Sequence, residues 1–205
     1  MTARGAIGDV ARIVRHGPEQ LAHPWRLRAA VRRISRRPPP QFVLVVCHGN
    51  IYRSPYAAAL LRHRLPPLVG NHVRVVSAGF VEPGRSCPGE VLHVAATRGV
   101  DLSGHRSRLL VPSDVYAADL VLVMDATQRW GIRALFGRSN NDIIMLGDLD
   151  PQRIETREVQ DPFSQPKEVL ERSYSRIERC IDEVIRAVSA TVQRVPDSQS
   201  GRPVG

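Results

Sequence analysis

Residues 42–55 read Phe42-Val-Leu-Val-Val-Cys47-His-Gly-Asn-Ile-Tyr-Arg53-Ser54-Pro55, and they decide the fold of this chain. The five apolar residues before Cys47 are typical of a buried β-strand. Five residues separate Cys47 from Arg53, and Ser54 then opens a helical pattern. We therefore predict a strand, a tight loop and a helix in direct succession, with the reactive side chains on the loop.

The loop from Cys47 to Arg53 predicts an anion site beside a nucleophile. Its backbone amides and the helix N-terminus point at one spot, where their partial positive charge attracts an oxyanion. The same field stabilises a thiolate, which is the nucleophilic form of cysteine. A guanidinium fork can hold the oxyanion against the sulfur. This arrangement predicts phosphoryl transfer to sulfur.

Composition places the chain among globular proteins of one main domain. It has 205 residues, of which 42% are apolar, enough for a sizeable core. No apolar run approaches the ~20 residues of a membrane-spanning helix, and the N-terminal region lacks the apolar core of a signal peptide. The three cysteines, Cys47, Cys87 and Cys180, show neither zinc-site spacing nor a disulfide framework. We expect a reducing, cytoplasmic environment and neither a cofactor nor a metal.

The positive charge is concentrated in an N-terminal arm, residues 1–40. The arm holds nine arginines and two acids, a net charge of +7 out of +9 for the whole chain. It predicts one or two basic amphipathic helices, with breaks at Gly17-Pro18 and at Pro24, and a domain boundary at residues 38–40, Pro-Pro-Pro. One face carries Leu27, Ala30, Val31 and Ile34.

The favoured interpretation of the arm is an extension that packs on the body or stays mobile. The alternative is contact with a membrane surface or an acidic partner. Nucleic acid is disfavoured because Trp25 is the only aromatic residue of the arm.

Beyond the opening stretch, apolar strands alternate with helices. We predict strands at 73–76, 120–124 and 143–146 and helices at 54–65, 89–98, 127–136 and 167–188, with a polar loop at 147–166. This alternation predicts an α/β fold with a four-stranded parallel sheet and helices on both faces. Cys47, Ser77 and Asp125 each follow a predicted strand end, so they should meet at one rim of the sheet. The tail, residues 191–205, is rich in Gln, Ser, Gly and Pro and is predicted to be disordered.

Five short motifs occur in order along residues 41–190. They are Cys-x5-Arg-Ser-Pro at 47–55, Ser-Ala-Gly at 77–79, Asp-Leu-Ser-x-His-x-Ser-Arg at 101–108, Leu-Val-Met-Asp at 122–125 and Asp-Pro-Phe at 161–163. The first alone is a weak signal, but all five together resemble the low-molecular-weight protein tyrosine phosphatase family. The resemblance implies a phosphatase domain over residues 41–190 with the three-layer fold of that family.

The resemblance also implies roles for individual residues. Cys47 is the nucleophile that forms a phosphocysteine intermediate, and Arg53 grips the phosphate oxygens. Asp161 is the general acid that protonates the leaving tyrosine oxygen and then takes a proton from water. The remaining residues of the phosphate-binding loop are His48, Gly49, Asn50, Ile51, Tyr52 and Ser54. Ser77 and His105, together with Asn50, support the loop by hydrogen bonds.

Two positions depart from the family pattern. Tyr52 stands where many members carry a second cysteine that traps an oxidised nucleophile as a disulfide, so we expect poor recovery from peroxide. Phe163 and Ser164 stand where many members carry tyrosines. Phe163 can still flank an aromatic leaving group, with less hydrogen-bonding capacity.

The function implied by the resemblance is hydrolysis of phosphotyrosine in proteins. The partner would be a phosphotyrosine-containing protein, with a bacterial tyrosine autokinase of exopolysaccharide control as one candidate. A thiol-dependent arsenate reductase on the same fold is the first alternative, in which Cys87 would have to be the resolving thiol. A binding protein that acts through the basic arm is the second.

Overall fold

The computed structural model describes residues 3–152 and 154–193, and their side chains from Pro18 onward. Within this part the helices are α1 (Ala3–Ser35), α2 (Arg53–Arg64), α3 (Pro66–Val69), α4 (Gly89–Thr97), α5 (Pro112–Ala117), α6 (Ala126–Phe136) and α7 (Lys167–Val192). The strands are β1 (Phe42–Val46), β2 (Arg74–Ala78), β3 (Leu120–Val123) and β4 (Ile143–Met145). Two 3-10 turns, Asn140–Asp142 and Leu146–Leu149, flank β4.

The four strands form one parallel sheet in the order β2-β1-β3-β4, which confirms the predicted sheet. β1 is central, and its Val45 lies in register with Ser77 of β2 and Leu122 of β3. All five β1 residues are buried. Parallel strands end at the same edge, so the residues after β1 and β3 share one rim.

Alternate residues of β1 enter two separate cores, which confirms the prediction of helices on both faces. Val43 and Val45 pack in the larger core with residues of α1, α2, α4 and α7. Leu44 and Val46 pack in the smaller core with residues of α5 and α6. The uniformly apolar sequence of β1 follows from this burial on both sides.

Helix α1 is continuous, so the predicted breaks at Gly17-Pro18 and Pro24 are wrong. Ala30 and Ile34 are buried in the larger core, and Leu27 and Val31 pack against it, as the apolar face predicted. This long-range packing offsets the hydrogen bonds that the two prolines remove from the helix.

The other differences between the predicted and the observed elements are local. The short helix α3 was not predicted; it begins at Pro66, because proline is tolerated in the first turn of a helix. Helix α5, which starts at Pro112 in the same way, was not predicted. β2 extends to Ala78, so Ser77 lies inside the strand and does not follow it. α7 continues past residue 188 because Thr191 is still buried.

The C-terminal tail, as far as it covers residues 194–205, lies outside the described residues, and the division of the chain at residues 40 and 190 stays a prediction. In the described part of the chain, no helix is long and apolar enough to cross a membrane.

Candidate active site

The loop between β1 and α2 surrounds the sulfur of Cys47 with hydrogen-bond donors. The backbone amide of Asn50 donates to Cys47 Sγ at 3.2 Å, and the Ser54 hydroxyl donates to it at 3.0 Å. Asn50 Nδ2 in turn donates to Ser54 Oγ at 2.9 Å. Because that contact uses the hydroxyl oxygen as an acceptor, the hydroxyl proton is directed at the sulfur. Donors placed in this way stabilise a thiolate.

Asn50 adopts a left-handed backbone conformation, with φ of 52°, and three contacts hold it there. Its carbonyl accepts from His105 Nε2 at 2.7 Å, its Oδ1 accepts from the Arg108 amide at 2.9 Å, and its Nδ2 reaches Ser54. Asparagine tolerates this region better than most residues. Burial lowers the pKa of His105, and the nearby Arg62 and Arg106 add to this, against the opposing effect of the hydrogen bond to Asn50. His105 is therefore a neutral support behind the loop at neutral pH.

Gly79 lets the end of β2 approach the loop closely. A Cβ at this position would lie 2.7 Å from the His48 carbonyl oxygen and 2.9 Å from the Asn50 amide nitrogen. The next amide, of Phe80, donates to that same His48 carbonyl at 2.8 Å. This role of Gly79 was not predicted, although a glycine directly after a strand is its signal.

Ser77, which the sequence predicted as a loop support, is buried in β2. Its side chain forms no hydrogen bond to the loop among the residues that the structure describes. The loop is supported here by the backbone around Gly79 and by His105.

Arg53 is buried at the start of α2, with 2% of its side chain exposed. Its Nη1 donates to the Val159 carbonyl at 2.9 Å and to Asp125 Oδ2 at 3.3 Å, and its Nη2 pairs with Asp161. Its Nε has no hydrogen-bond partner among the described residues. A buried guanidinium N–H without a partner is costly, which points to an anion that completes the site.

Asp125 was placed on the rim by the sequence, but its pairing with Arg53 was not predicted. The same carboxylate caps α6, because its Oδ1 accepts from the Gln128 amide at 2.9 Å. The helix start therefore fixes the carboxylate, and the carboxylate orients Arg53.

Asp161 reaches the site from the long loop before α7. Two contacts anchor this loop: the Val159 amide donates to the Met124 carbonyl at 2.9 Å, and the Ser173 hydroxyl donates to the Gln160 carbonyl at 2.9 Å. The Asp161 side chain is partly exposed and lines the same pocket as Cys47. An acid on this pocket wall can exchange a proton with a leaving group on the phosphorus.

The pocket has a volume of about 210 Å³ and aromatic walls. The rings of Tyr52 and Phe163 meet edge to face, with centroids 6.0 Å apart and an angle of 88°. The Tyr52 hydroxyl donates to Glu90 at 2.6 Å, and Tyr174 donates to the Tyr52 carbonyl at 3.0 Å. Burial, followed by the contact with Glu90, raises the pKa of Tyr52, which therefore stays a neutral donor.

The structure thus brings Cys47, Arg53, Asp161 and Phe163 to one pocket, with the loop residues His48, Gly49, Ile51 and Tyr52. Asn50, Ser54 and His105 lie around it, in contact with the sulfur or with the loop. Val81 and Arg85, which the sequence analysis did not single out, also line it. The Arg85 guanidinium donates to the Gly49 carbonyl at 2.9 Å.

Metal ligands do not cluster in the part of the chain that the structure describes, where no group of three or more His, Cys, Asp or Glu residues could hold an ion. The donors around the pocket are instead amides and guanidinium groups, which bind anions.

Comparisons with known proteins agree with this geometry. A family model described as low molecular weight phosphotyrosine protein phosphatase matches residues 42–194. The probable low molecular weight protein-tyrosine-phosphatase EpsP of Ralstonia nicotianae is 35% identical over 149 residues, which are 72% of this chain and 96% of EpsP. The solved tyrosine phosphatase amsI of Erwinia amylovora has a TM-score of 0.64 and 26% identity, over 72% of this chain and 93% of its own. The YwlE arginine phosphatase of Geobacillus stearothermophilus has a TM-score of 0.62 and 30% identity, over 72% of this chain and 92% of its own.

Proposed function

This chain belongs to the low molecular weight phosphotyrosine protein phosphatase family, and we propose that it hydrolyses phosphotyrosine through a phosphocysteine on Cys47. One observation carries the proposal. Cys47 Sγ accepts hydrogen bonds from Asn50 and Ser54 inside a loop that ends at a buried arginine with a free N–H. A thiolate and an oxyanion site in one pocket support phosphoryl transfer to sulfur.

The reaction has two steps. The Cys47 sulfur attacks phosphorus, the bond from phosphorus to the tyrosine oxygen breaks, and Asp161 gives that oxygen a proton. Water then attacks the phosphocysteine, gives a proton to Asp161, and releases phosphate and the thiolate. Arg53 and the loop amides stabilise the charge on the equatorial oxygens in both steps.

Asp161 pairs with Arg53 in the structure. A bound phosphate dianion would compete for the same guanidinium donors and leave Asp161 facing the leaving oxygen. Asp161→Asn keeps the shape of the side chain but removes the proton donor, so kcat for an aryl phosphate should fall by about 10²–10⁴-fold.

The pocket walls favour an aromatic leaving group. Tyr52 and Phe163 form an aromatic corner beside Cys47, which suits the flat ring of phosphotyrosine. YwlE is named as an arginine phosphatase, but in this chain the guanidinium of Arg85 lines the pocket. That charge opposes the binding of a second guanidinium group, so we rank phosphotyrosine above phosphoarginine.

The deciding experiment compares the full chain with Cys47→Ser on a phosphotyrosyl peptide and on the same peptide with phosphoarginine. We expect hydrolysis of the phosphotyrosyl peptide, lost in Cys47→Ser and unaffected by a chelator. Retained activity in the serine variant would show that Cys47 is not the nucleophile. Faster release of phosphate from phosphoarginine than from phosphotyrosine would overturn the proposed substrate class.

An arsenate reductase would need a resolving thiol, and Cys87 is poorly suited to that role. Burial raises the pKa of Cys87 to about 12, and a nearby Cys47 thiolate adds to the shift. A neutral, buried thiol attacks slowly. Thiol-dependent arsenate reduction that requires Cys87 would favour this alternative.

We place the phosphatase in the cytoplasm, with a phosphotyrosine-containing protein as its partner and a tyrosine autokinase of exopolysaccharide control as the first candidate. The support is the family resemblance and the fit of the pocket to an aryl phosphate. Incubation of the phosphorylated kinase with the full chain and with Cys47→Ser tests whether such a kinase is the substrate. Loss of phosphotyrosine only with the active enzyme would support it, and an unchanged signal would oppose it.

As a secondary proposal, the outer face of α1 contacts a membrane surface. Its inner face packs on the body, but Trp25, Arg28 and Arg32 on the helix, and Arg36 just after it, are exposed. Arginines near an anionic surface contribute about 1 kcal/mol each. Sedimentation with vesicles of phosphatidylcholine, with and without phosphatidylserine, tests this on the full chain. Equal recovery of the wild type and of a variant with the three arginines changed to glutamine would exclude it.

A further inference from the structure

A second groove opens beside the catalytic pocket on the surface of α6. It has a volume of about 480 Å³, within the range of about 300–1,000 Å³ that ligand sites occupy. Its apolar lining includes Phe80, Trp130, Ala134 and Leu135. Trp130 and Leu135 are each 67% exposed, an unusual position for large apolar side chains on one short helix.

The groove is continuous with the site of the proposed chemistry. His48, Arg53 and Asp161 line both the groove and the catalytic pocket. A protein segment whose phosphotyrosine enters the pocket must therefore lay its neighbouring residues across the entrance of the groove.

Phe80 and Gly131 shape the groove. A Cβ added to Gly131 would lie 3.2 Å from Phe80 Cε1, so the missing side chain lets the Phe80 ring lie close against α6. Phe80 also follows Gly79, and its amide donates to the His48 carbonyl of the phosphate-binding loop. The groove is thus built directly onto the frame of the catalytic loop.

We infer that this groove binds an apolar or aromatic side chain of the substrate protein, next to its phosphotyrosine. The inference rests on the proposed function and deepens it, because it gives this phosphatase a preference for the residues around the phosphorylated site. Tryptophan is one of the three residue types enriched among those that dominate binding energy at protein interfaces, with Tyr and Arg. Trp130 is therefore the main specificity-determining residue of the groove.

The test uses phosphotyrosyl peptides of Gly and Ser in which one Phe is moved through the positions on either side of the phosphotyrosine. p-Nitrophenyl phosphate, which has no neighbouring residues, measures the catalytic pocket alone. For the full wild-type chain, we expect at least one Phe position to raise kcat/KM about tenfold over the peptide without Phe. In Trp130→Ala, the peptides with and without Phe should have about the same kcat/KM.

Two further variants distinguish an effect on the groove from a general effect of substitution on the protein. Trp25→Ala removes a similarly exposed tryptophan from α1, away from the groove, and should keep the tenfold preference. Gly131→Ala adds a methyl group 3.2 Å from Phe80 Cε1, so it should displace the Phe80 ring and reduce the preference.

The outcomes are distinct. If the wild type hydrolyses every peptide with the same kcat/KM, the groove does not bind a substrate side chain, but the proposed function is unaffected. A Trp130→Ala variant that keeps the Phe preference would also overturn the inference about the groove. A wild type that hydrolyses none of the peptides and no p-nitrophenyl phosphate would overturn the proposed function itself.

Discussion

Gly79 shows how closely the loop around Cys47 is packed. The backbone atoms that an added Cβ would meet belong to His48 and Asn50, and the Asn50 amide is itself a donor to the Cys47 sulfur. Backbone cannot move aside as a flexible side chain can. A substitution at Gly79 must therefore displace the donors that hold the nucleophile.

Gly79→Ala should reduce kcat for an aryl phosphate by about 10- to 100-fold, because misplacement by about 1 Å has effects of that size. Steady-state kinetics with p-nitrophenyl phosphate measures it. Gly104→Ala is the matched control, since a Cβ at Gly104 meets nothing within 4 Å. Equal activity in the two variants would show that the close approach at Gly79 has no catalytic importance.

We predict that Tyr52 makes oxidation of Cys47 hard to reverse. The family resemblance implies a second cysteine at this position in many members, whereas here the Tyr52 hydroxyl donates to Glu90 and offers no thiol to an oxidised Cys47. The remaining candidate near the site is Cys87, and burial raises the pKa of its thiol, so it stays protonated and a poor nucleophile at neutral pH.

After inactivation by peroxide, we therefore expect poor recovery of activity on addition of a thiol. Mass spectrometry of the oxidised protein, digested without reduction, should find no disulfide between Cys47 and Cys87. A Tyr52→Cys variant should recover better than the wild type. Full recovery of the wild type, with a disulfide to Cys87, would disprove this account of Tyr52.

At the scale of elements, the unit from β1 to α2 could be predicted because its signals are local. An apolar run, a loop and a helix start follow one another within residues 42–55, and the structure places them as expected. The neighbours of Arg53 could not be predicted in this way. Asp125 and Val159 reach it from 72 and 106 residues away, and only the folded chain brings them together.

Helix α1 shows the opposite case, in which local signals mislead. Gly17-Pro18 and Pro24 predict breaks, but the helix continues because its apolar face is buried on α7. Burial of that face stabilises the helix by more than the prolines destabilise it. The arm is therefore part of the folded body over at least the residues that carry this face.

Ile34→Ala should lower the free energy of unfolding by about 2–5 kcal/mol, since the Ile34 side chain is only 4% exposed within the larger core. Urea denaturation followed by circular dichroism measures the change. Leu21→Ala on the same helix is the control: Leu21 is 79% exposed, so its change should stay within about 0.5 kcal/mol. Equal effects of the two substitutions would mean that α1 does not pack on the body in solution.

At the scale of the whole molecule, Asp150 joins the arm to the phosphatase body. Its carboxylate is buried and pairs with Arg179 through two contacts of 2.9 Å and with Arg176 at 3.2 Å, both on α7. Its backbone carbonyl accepts from His23 of α1 at 2.7 Å. One residue therefore links α1, α7 and the loop that leads to Asp161. The part of α1 around His23 therefore packs on the same frame that leads to the catalytic rim.

The two faces of the molecule differ in what they offer a partner. The carboxyl edge of the sheet carries the catalytic pocket and the apolar groove on α6, while the outer side of α1 carries exposed arginines. The sequence predicted the first site from its motifs and the second from its charge. It did not reveal the groove, because Phe80 and Trp130 come from different elements and meet only in the fold.

The central claim is that phosphate passes through the sulfur of Cys47, and trapping of the intermediate tests it most directly. The full chain is mixed with a phosphotyrosyl substrate, quenched within the first turnovers and digested, and the peptides are examined by mass spectrometry. We predict a phosphate group on Cys47, absent when Cys47→Ser is treated in the same way. Rapid turnover with no phosphate on Cys47, or with phosphate on another residue, would contradict the account.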